Sequence, residues 1–135
     1  MAGYSGTPLP QKLGISEGAR VALVRAPDGF AETLQPLLPQ GVRMRSRLSG
    51  MLDVVLFFVT RRNELERRFG PMARALEPAG GLWIAWPKRT AGVPTDLNEN
   101  VVRDHALSHG RVDVKVCAID DTWSGLKHVI RKADR

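Results

Sequence analysis

The sequence predicts a three-layer α/β fold, in which a mostly parallel sheet ends in an antiparallel hairpin. Short apolar runs alternate with segments of helical periodicity, which is typical of parallel strands joined by helical crossovers. The run 53–59 is apolar on both faces, as in a central strand covered by helices on both sides. Near the end, strand-like segments at 112–120 and 126–132 flank the turn-forming sequence DTWSG at 121–125.

Length and composition place the chain among single globular domains. It has 135 residues, of which 43% are hydrophobic and 25% are charged, so we expect one α/β domain over 1–135. Cys117 is the single cysteine and cannot form a disulfide within the chain. No apolar run approaches the ~20 residues of a membrane helix, and MAGYSGTPLP at the start lacks the features of a secretory signal. These features favour a cytoplasmic protein without a membrane association.

The net charge of +6 and the isoelectric point of about 10.2 raise the question of an anionic partner. The basic excess lies in the middle of the chain, on a predicted helix and the loops around it. There Arg62 and Glu66, and likewise Glu64 and Arg68, stand four residues apart and can neutralise each other. We therefore favour a solvated helix face, and binding of nucleic acid through 61–89 is the alternative.

In the first half of the chain, a β-branched run at 20–25 predicts a buried strand. Asp28 is the expected N-cap of a helix that ends at Pro39 and Gly41. Alternating apolar and basic residues at 42–46 predict an edge strand or a half-buried strand. Only six residues separate this strand from the next, which is too few for a helical crossover. Either the two strands are not neighbours in the sheet or the shorter one is not parallel.

In the second half, Thr60 is the expected N-cap of a long helix with one apolar stripe, and the pair Gly70 and Pro71 should kink or divide it. A second buried strand at 82–86 is stopped by Pro87. A helix that begins near 96–98 follows, and then the C-terminal hairpin.

Four stretches of the sequence resemble a small bacterial family of unknown function. They are YSGTPLPQKLG at 4–14, VALVRAP at 21–27, LWIAWPK at 82–88 and DVKVCAIDDTWSGLK at 113–127. This resemblance covers nearly the full chain and implies a fold without an activity. More distantly, the order of elements resembles the C-terminal two thirds of a class I methyltransferase, a Rossmann-like domain. That resemblance implies S-adenosylmethionine at the carboxyl ends of the first strands.

Two departures from the methyltransferase pattern argue against that cofactor. The turn 25–29 holds one glycine where the methyltransferase pattern has several. A bound cofactor would therefore meet side chains and a proline where glycines would let the backbone approach it. Ser46 and Arg47 stand at the end of the second strand, where an acidic residue would accept the ribose hydroxyls. We therefore predict no cofactor. The alternative is S-adenosylmethionine displaced toward Trp86 and Trp123.

The carboxyl edge of the predicted sheet is polar, cationic and aromatic together. The residues that we expect to bind a ligand there are Thr60, Arg61, Trp86, Lys88, Arg89 and Trp123. Lys88 and Arg89 face the start of the helix after Thr60, where charge and free backbone N–H groups together favour an anion. The opposing interpretation is that Pro87 only ends a strand and that the basic pair is solvated.

No residue is predicted to be catalytic or to bind a metal. Asp120 and Asp121 belong to a turn, and adjacent residues on a strand point to opposite faces. His105 and His109 stand four residues apart on a helix, a spacing compatible with a metal, yet no glutamate lies between them and His128 is remote in sequence. Cys117 lies between apolar residues, and we interpret it as a buried structural cysteine.

The sequence thus favours a non-catalytic Rossmann-like module that binds an anionic small molecule or a protein partner at the carboxyl edge of the sheet. The alternative is a divergent S-adenosylmethionine-dependent methyltransferase. The segment 1–17 is expected to act as an N-terminal clasp, in which Thr7 caps a short helix. Tyr4 of this segment is within reach of the cationic edge if the segment folds back over it.

Overall fold

A six-stranded mixed sheet organises the protein, of which the computed structural model describes residues 6–135. The strands are β1 (Arg20–Val24), β2 (Arg43–Arg45), β3 (Leu52–Phe58), β4 (Leu76–Pro87), β5 (Arg111–Ala118) and β6 (Trp123–Ile130). They lie in the order β2-β1-β3-β4-β6-β5. The first four strands are parallel to one another, whereas β6 runs antiparallel to both β4 and β5. The predicted α/β class is confirmed, including the antiparallel hairpin at its end.

Helices cover both faces of this sheet. They are α1 (Leu9–Leu13), α2 (Phe30–Leu34), α3 (Arg62–Arg74) and α4 (Glu99–Ser108). The buried residues of α1 and α2 belong to one apolar cluster, and those of α3 and α4 belong to a second cluster on the opposite face. No helix within 6–135 is long and apolar enough to cross a membrane.

The central strands β3 and β4 are buried on both faces because their side chains alternate between the two clusters. Phe57 contributes to the cluster under α3 and α4, and Leu56 contributes to the cluster under α1 and α2. Trp83 of β4 is fully buried, and its indole Nε1 donates a hydrogen bond to the carbonyl of Leu13 at 3.0 Å. This bond fixes the end of α1 against the middle of the sheet.

The placement of β2 resolves the short connection noted in the sequence. β1 pairs with β2 on one side and with β3 on the other, so β2 and β3 are not neighbours. The segment 46–51 passes from the edge strand to the centre of the sheet without a helix. The first of the two predicted alternatives is therefore correct.

The start of α3 is capped from a distant loop and not by Thr60. Arg61 precedes the helix without a side-chain cap, and the backbone N–H of Arg62 donates to Asp96 Oδ1 at 2.7 Å. The hydroxyl of Thr95 donates to the carbonyl of Thr60 at 2.6 Å. The predicted cap was wrong because the acidic residue that meets this helix end lies 34 positions further along the chain.

Several other local predictions also differ from the structure. Gly29, with a φ of 83°, precedes α2 as its N-cap in place of Asp28. The helix α3 continues through Gly70 and Pro71 and is not divided. The hairpin turn lies at 119–122, slightly earlier than predicted. By contrast, the helix predicted to begin near 96–98 is α4, and Asn98 is its N-cap, since its Oδ1 accepts from the backbone N–H of Val101 at 2.9 Å.

The N-terminal segment packs against the sheet through α1, which begins after Pro8. Leu13 and Ile15 are buried, with relative exposures of 1% and 4%. Tyr4, to which the sequence assigned a position over the cationic edge, lies outside the described residues.

A completely buried histidine lies on β6, under α3 and α4. The Nδ1 of His128 donates to the carbonyl of Leu82 at 3.3 Å, and its ring centroid is 6.4 Å from that of Phe69. Within residues 6–135, its Nε2 has no hydrogen-bond partner. Burial in this apolar setting lowers the pKa of His128 to about 4.

His128 should make the protein acid-sensitive. The unfolded chain binds a proton at this residue near its ordinary pKa of 6.5, and the folded chain does so only near 4. Stability is therefore complete above that range and is lost as pH falls through it, by about 3 kcal/mol. Chemical unfolding from neutral pH to pH 4 should show this loss in the wild type and not in His128→Asn. The exposed His109→Asn serves as the control, and identical pH profiles for the wild type and His128→Asn would contradict the assignment.

Candidate functional site

Two cavities flank the loop at the carboxyl end of β1. The first, here the α1 cavity, has a volume of about 620 Å³. It lies between the segment 6–9, the loop before α2 and the hairpin turn at Ile119 and Asp120. Its walls are mostly apolar, and its polar side chains are Thr7, Asp28, Thr33 and Asp120.

The second, here the β2 cavity, has a volume of about 750 Å³ and lies between α2 and the ends of β1 and β2. Its charged lining residues are Arg25, Asp28, Glu32 and Arg45. Pro27, Asp28 and Gly29 line both cavities, so this loop is the partition between them. Both volumes fall in the ordinary range of small-molecule sites, about 300–1,000 Å³.

The loop itself has an unusual backbone conformation. Arg25 has a φ of 58°, the left-handed region that glycine enters without cost, and Gly29 has a φ of 83°. A β-carbon at Gly29 would meet no atom of residues 6–135 within 4 Å. Nε of Arg25 is held 2.9 Å from Glu64 Oε1, and Arg68 approaches the same oxygen at 3.7 Å. The backbone at Arg25, the first residue of the loop, therefore has a conformation that is typical of glycine.

A carboxylate is fixed at the rim of the α1 cavity. Oδ1 of Asp120 accepts hydrogen bonds from the backbone N–H groups of Thr122 and Trp123, both at 2.9 Å. Trp123 packs edge-on against Phe58, with ring centroids 5.1 Å apart. The side chain of Asp120 thus both forms the hairpin turn and lines the cavity.

The structure does not bring the six residues predicted to bind a ligand together in one cavity. Trp86 and Arg89 line a third cavity of about 570 Å³ with residues that precede and begin α4. Among the lining residues described there, Thr60, Arg61, Lys88 and Trp123 do not occur. The N-terminus of α3, the expected anion site, already has the carboxylate of Asp96 on its Arg62 amide.

Some residues that line the cavities were not singled out as ligand-binding from the sequence. Asp28 and Asp120 stand at strand ends, which is a signal that the sequence does contain. Glu32 lies within α2, and Arg45 is the last residue of the edge strand β2. Neither residue therefore follows the end of a strand that the sequence predicts to be buried. Their convergence depends on how α2 packs beside β2.

Histidine and cysteine side chains serve packing in the described part of the chain. No group of three His, Cys, Asp or Glu residues within 6–135 is arranged to hold a metal ion. His105 and His109 pack against Phe69, with ring centroids 5.2 Å and 4.7 Å from it. Cys117 is half-buried, and burial raises the pKa of its thiol, which disfavours the reactive thiolate.

Comparison with known proteins identifies the fold. No protein-family model matches the chain, and no curated protein is detectably similar to it. A solved SAM-dependent methyltransferase from Aquifex aeolicus superposes with a TM-score of 0.67 at 15% identity, covering 87% of this chain and 85% of that one. The fold is a truncated methyltransferase-like Rossmann fold.

Two further solved structures agree with that comparison. A putative type 11 methyltransferase from Sulfolobus solfataricus has a TM-score of 0.66 at 13% identity, with 94% of this chain and 92% of that chain covered. The magnesium protoporphyrin IX methyltransferase of Synechocystis PCC 6803, solved with bound SAM, has a TM-score of 0.59 at 9% identity. It covers 90% of this chain and 74% of its own.

These comparisons change two predictions. The distant methyltransferase resemblance is confirmed for the fold, whereas no family model supports the small bacterial family. The prediction of no cofactor was wrong, because chains that share this fold are S-adenosylmethionine-dependent and one of them contains that molecule. The prediction relied on the residue identities at 25–29 and on Ser46 and Arg47 in place of an acidic residue. It missed that Arg25 adopts the conformation that a glycine would supply and that Glu32 lines the β2 cavity.

Because Arg25 has a left-handed backbone conformation, we expect Arg25→Gly to be more stable than Arg25→Ala, although glycine is usually the less stable of the two. Arg25→Gly and Arg25→Ala both remove the ion pair with Glu64, so they differ only in backbone preference. Alanine in the left-handed region costs about 1–2 kcal/mol, so the glycine variant should be the more stable of the two. Urea unfolding measures the difference, and an alanine variant that is equal or better would show that φ is not positive in solution.

Proposed function

We propose that the chain is a divergent S-adenosylmethionine-dependent methyltransferase that binds its cofactor across the loop 25–29. The observation that carries the proposal is the conformation of this loop, left-handed at Arg25 and Gly29, with a cavity on each side. S-adenosylmethionine joins a nucleoside to an amino acid, and two cavities that share one loop suit a ligand with two such parts. The fold shared with the solved methyltransferases supports the same assignment.

The residues present provide replacements for the missing acidic residue and for the lost glycines. Glu32 lines the β2 cavity, and its carboxylate is the acceptor that we assign to the ribose hydroxyls in place of Ser46. Asp28 and Asp120 line the α1 cavity, where carboxylates favour an ammonium or sulfonium cation. Among residues 6–135, Gly29 leaves open space beside the backbone for the ligand.

When bound, S-adenosylmethionine supplies an electrophilic methyl group. The chain's own contribution is to orient the reactants and to exclude water. Phe30 and Ile119 are buried at the α1 cavity and give it an apolar wall. Because Oδ1 of Asp120 is occupied by two backbone amides, its Oδ2 is the oxygen that we assign to accept a hydrogen bond from an acceptor molecule in this cavity.

Binding of the reaction product should stabilise the folded protein. S-adenosylhomocysteine at about 100 times its dissociation constant should add about 2.7 kcal/mol to the free energy of unfolding. Glu32→Gln should weaken this binding at least tenfold, whereas Lys88→Ala with Arg89→Ala should change it less than twofold. The opposite pattern would place the ligand near Trp86, and the absence of any stabilisation would reject the cofactor.

A second candidate function is the binding of an anion beside Trp86 without catalysis. Within 6–135, neither Lys88 nor Arg89 pairs with an acidic side chain. Arg89 lines a cavity that also contains Asn98, Asn100 and Glu99, and the carboxylate of Glu99 is paired with Arg103. Inorganic phosphate should then stabilise the wild type against unfolding, and the double variant Lys88→Ala, Arg89→Ala should fold normally without this effect. Equal stabilisation of both proteins by phosphate would exclude this site.

A further inference from the structure

A row of arginines marks the outer edge of the sheet. Between Glu32 and Asp53 the sequence contains no acidic residue, yet it holds arginines at three alternate positions, 43, 45 and 47. The first two lie on β2, the exposed edge strand, and the third follows it directly. Residues two apart on a strand project from the same face, about 7 Å from each other. Arg43 and Arg45 therefore project from one face of β2, and Arg47 adds a third positive charge in the bend that follows the strand.

The charge of this row is not compensated within the described part of the chain. Arg43 and Arg47 are exposed and form no side-chain hydrogen bond or ion pair with any residue of 6–135. Arg45 donates to the neutral hydroxyl of Ser49 at 2.9 Å. All three guanidinium groups thus remain available to an external anion.

The row is continuous with basic residues of neighbouring elements. Register pairs Arg43 with Arg20, whose guanidinium forms ion pairs with Asp53 and Glu77. It pairs Arg45 with Ala22, which faces the core under α3. On that side, Arg25 and Arg68 share the single carboxylate of Glu64. We call the five residues Arg25, Arg43, Arg45, Arg47 and Arg68 the arginine surface. Arg25 and Arg45 also line the β2 cavity, so this surface reaches the mouth of the candidate site.

Charged residues on an edge strand often serve only to prevent strand-to-strand aggregation. The other edge of this sheet differs in how its charges are partnered. β5 exposes Val114 and Val116, at 56% and 55%. Its Asp113 is paired with Arg103, and Nζ of Lys115 donates to a backbone carbonyl. The charges of β5 are thus engaged within the protein, whereas Arg43 and Arg47 have no side-chain partner within 6–135.

We propose that the arginine surface binds the phosphodiester backbone of nucleic acid without preference for sequence. A guanidinium group binds phosphate with two parallel hydrogen bonds, and several of them along one edge of the sheet suit a polyanion. β2 contributes no aromatic side chain on which a base could stack, so the contacts are to phosphates and carry no base readout. The proposal is independent of methyl transfer and goes beyond it.

The test is a fluorescence anisotropy titration of labelled single-stranded RNA and DNA of one mixed sequence. The informative variant is Arg43→Gln with Arg47→Gln, which leaves Arg45 in the β2 cavity. The matched control is Arg131→Gln with Lys132→Gln, an equal loss of charge at exposed positions that follow β6, remote from β2 in the sheet. Thermal unfolding of each variant checks that the fold is unchanged.

The wild type should bind both oligonucleotides, with an affinity that falls steeply between about 50 and 200 mM salt. The Arg43 and Arg47 variant should bind at least tenfold more weakly, and its slope of log affinity against log salt should be shallower by about 1.4, at about 0.7 for each lost contact. The control should change less than twofold.

Three outcomes would overturn the proposal. Equal losses in the two variants would mean that only net charge matters. Unchanged binding in the Arg43 and Arg47 variant would place the contact elsewhere. Tighter binding to phosphatidylserine vesicles than to either oligonucleotide, with the same dependence on Arg43 and Arg47, would assign the surface to a membrane.

Discussion

The candidate site depends on the reversal of strand order at β1. The chain leaves β1 to form β2 on one side and returns to form β3 on the other, while α2 and α3 pack on opposite faces. Such a reversal leaves a crevice at the carboxyl ends of the strands, and ligands of open α/β sheets collect there. The loop 25–29 lies in this crevice with a cavity on each side. Asp28 and Glu32 are placed there by this topology, and Asp120 reaches the α1 cavity from the hairpin turn between β5 and β6.

Packing in the centre of the sheet makes that arrangement rigid. β3 and β4 are buried on both faces, and each fully buried large side chain contributes about 1.5–3 kcal/mol. Trp83 adds a hydrogen bond to the carbonyl of Leu13, which ties α1 to the core. Because the segment 6–9 leads directly into α1, one wall of the α1 cavity is held by this contact. The core therefore determines the shape of the site as well as the stability of the fold.

The buried strands and the C-terminal hairpin were predictable because runs such as 53–59 and 82–86 carry their own pattern. The start of α4 near 96–98 was predictable, and Asn98 caps it from within its own first turn. The cap predicted for α3 was wrong, because that cap comes from Asp96 in a distant loop. The cofactor prediction failed for a related reason, since residue identity at Arg25 does not reveal a left-handed φ that the surrounding structure imposes. The position of Glu32 depends on tertiary packing in the same way.

The most direct test of cofactor binding at the loop after β1 is an amide NMR titration of the protein with S-adenosylhomocysteine. We expect the largest chemical-shift changes in the loop 25–32, in the segment 6–9 and at 44–46, because these residues line the two cavities. Amides at 86–100, around the third cavity, should change little. Shift changes confined to 86–100, or no changes at saturating ligand, would contradict the assignment of the cofactor to the loop after β1.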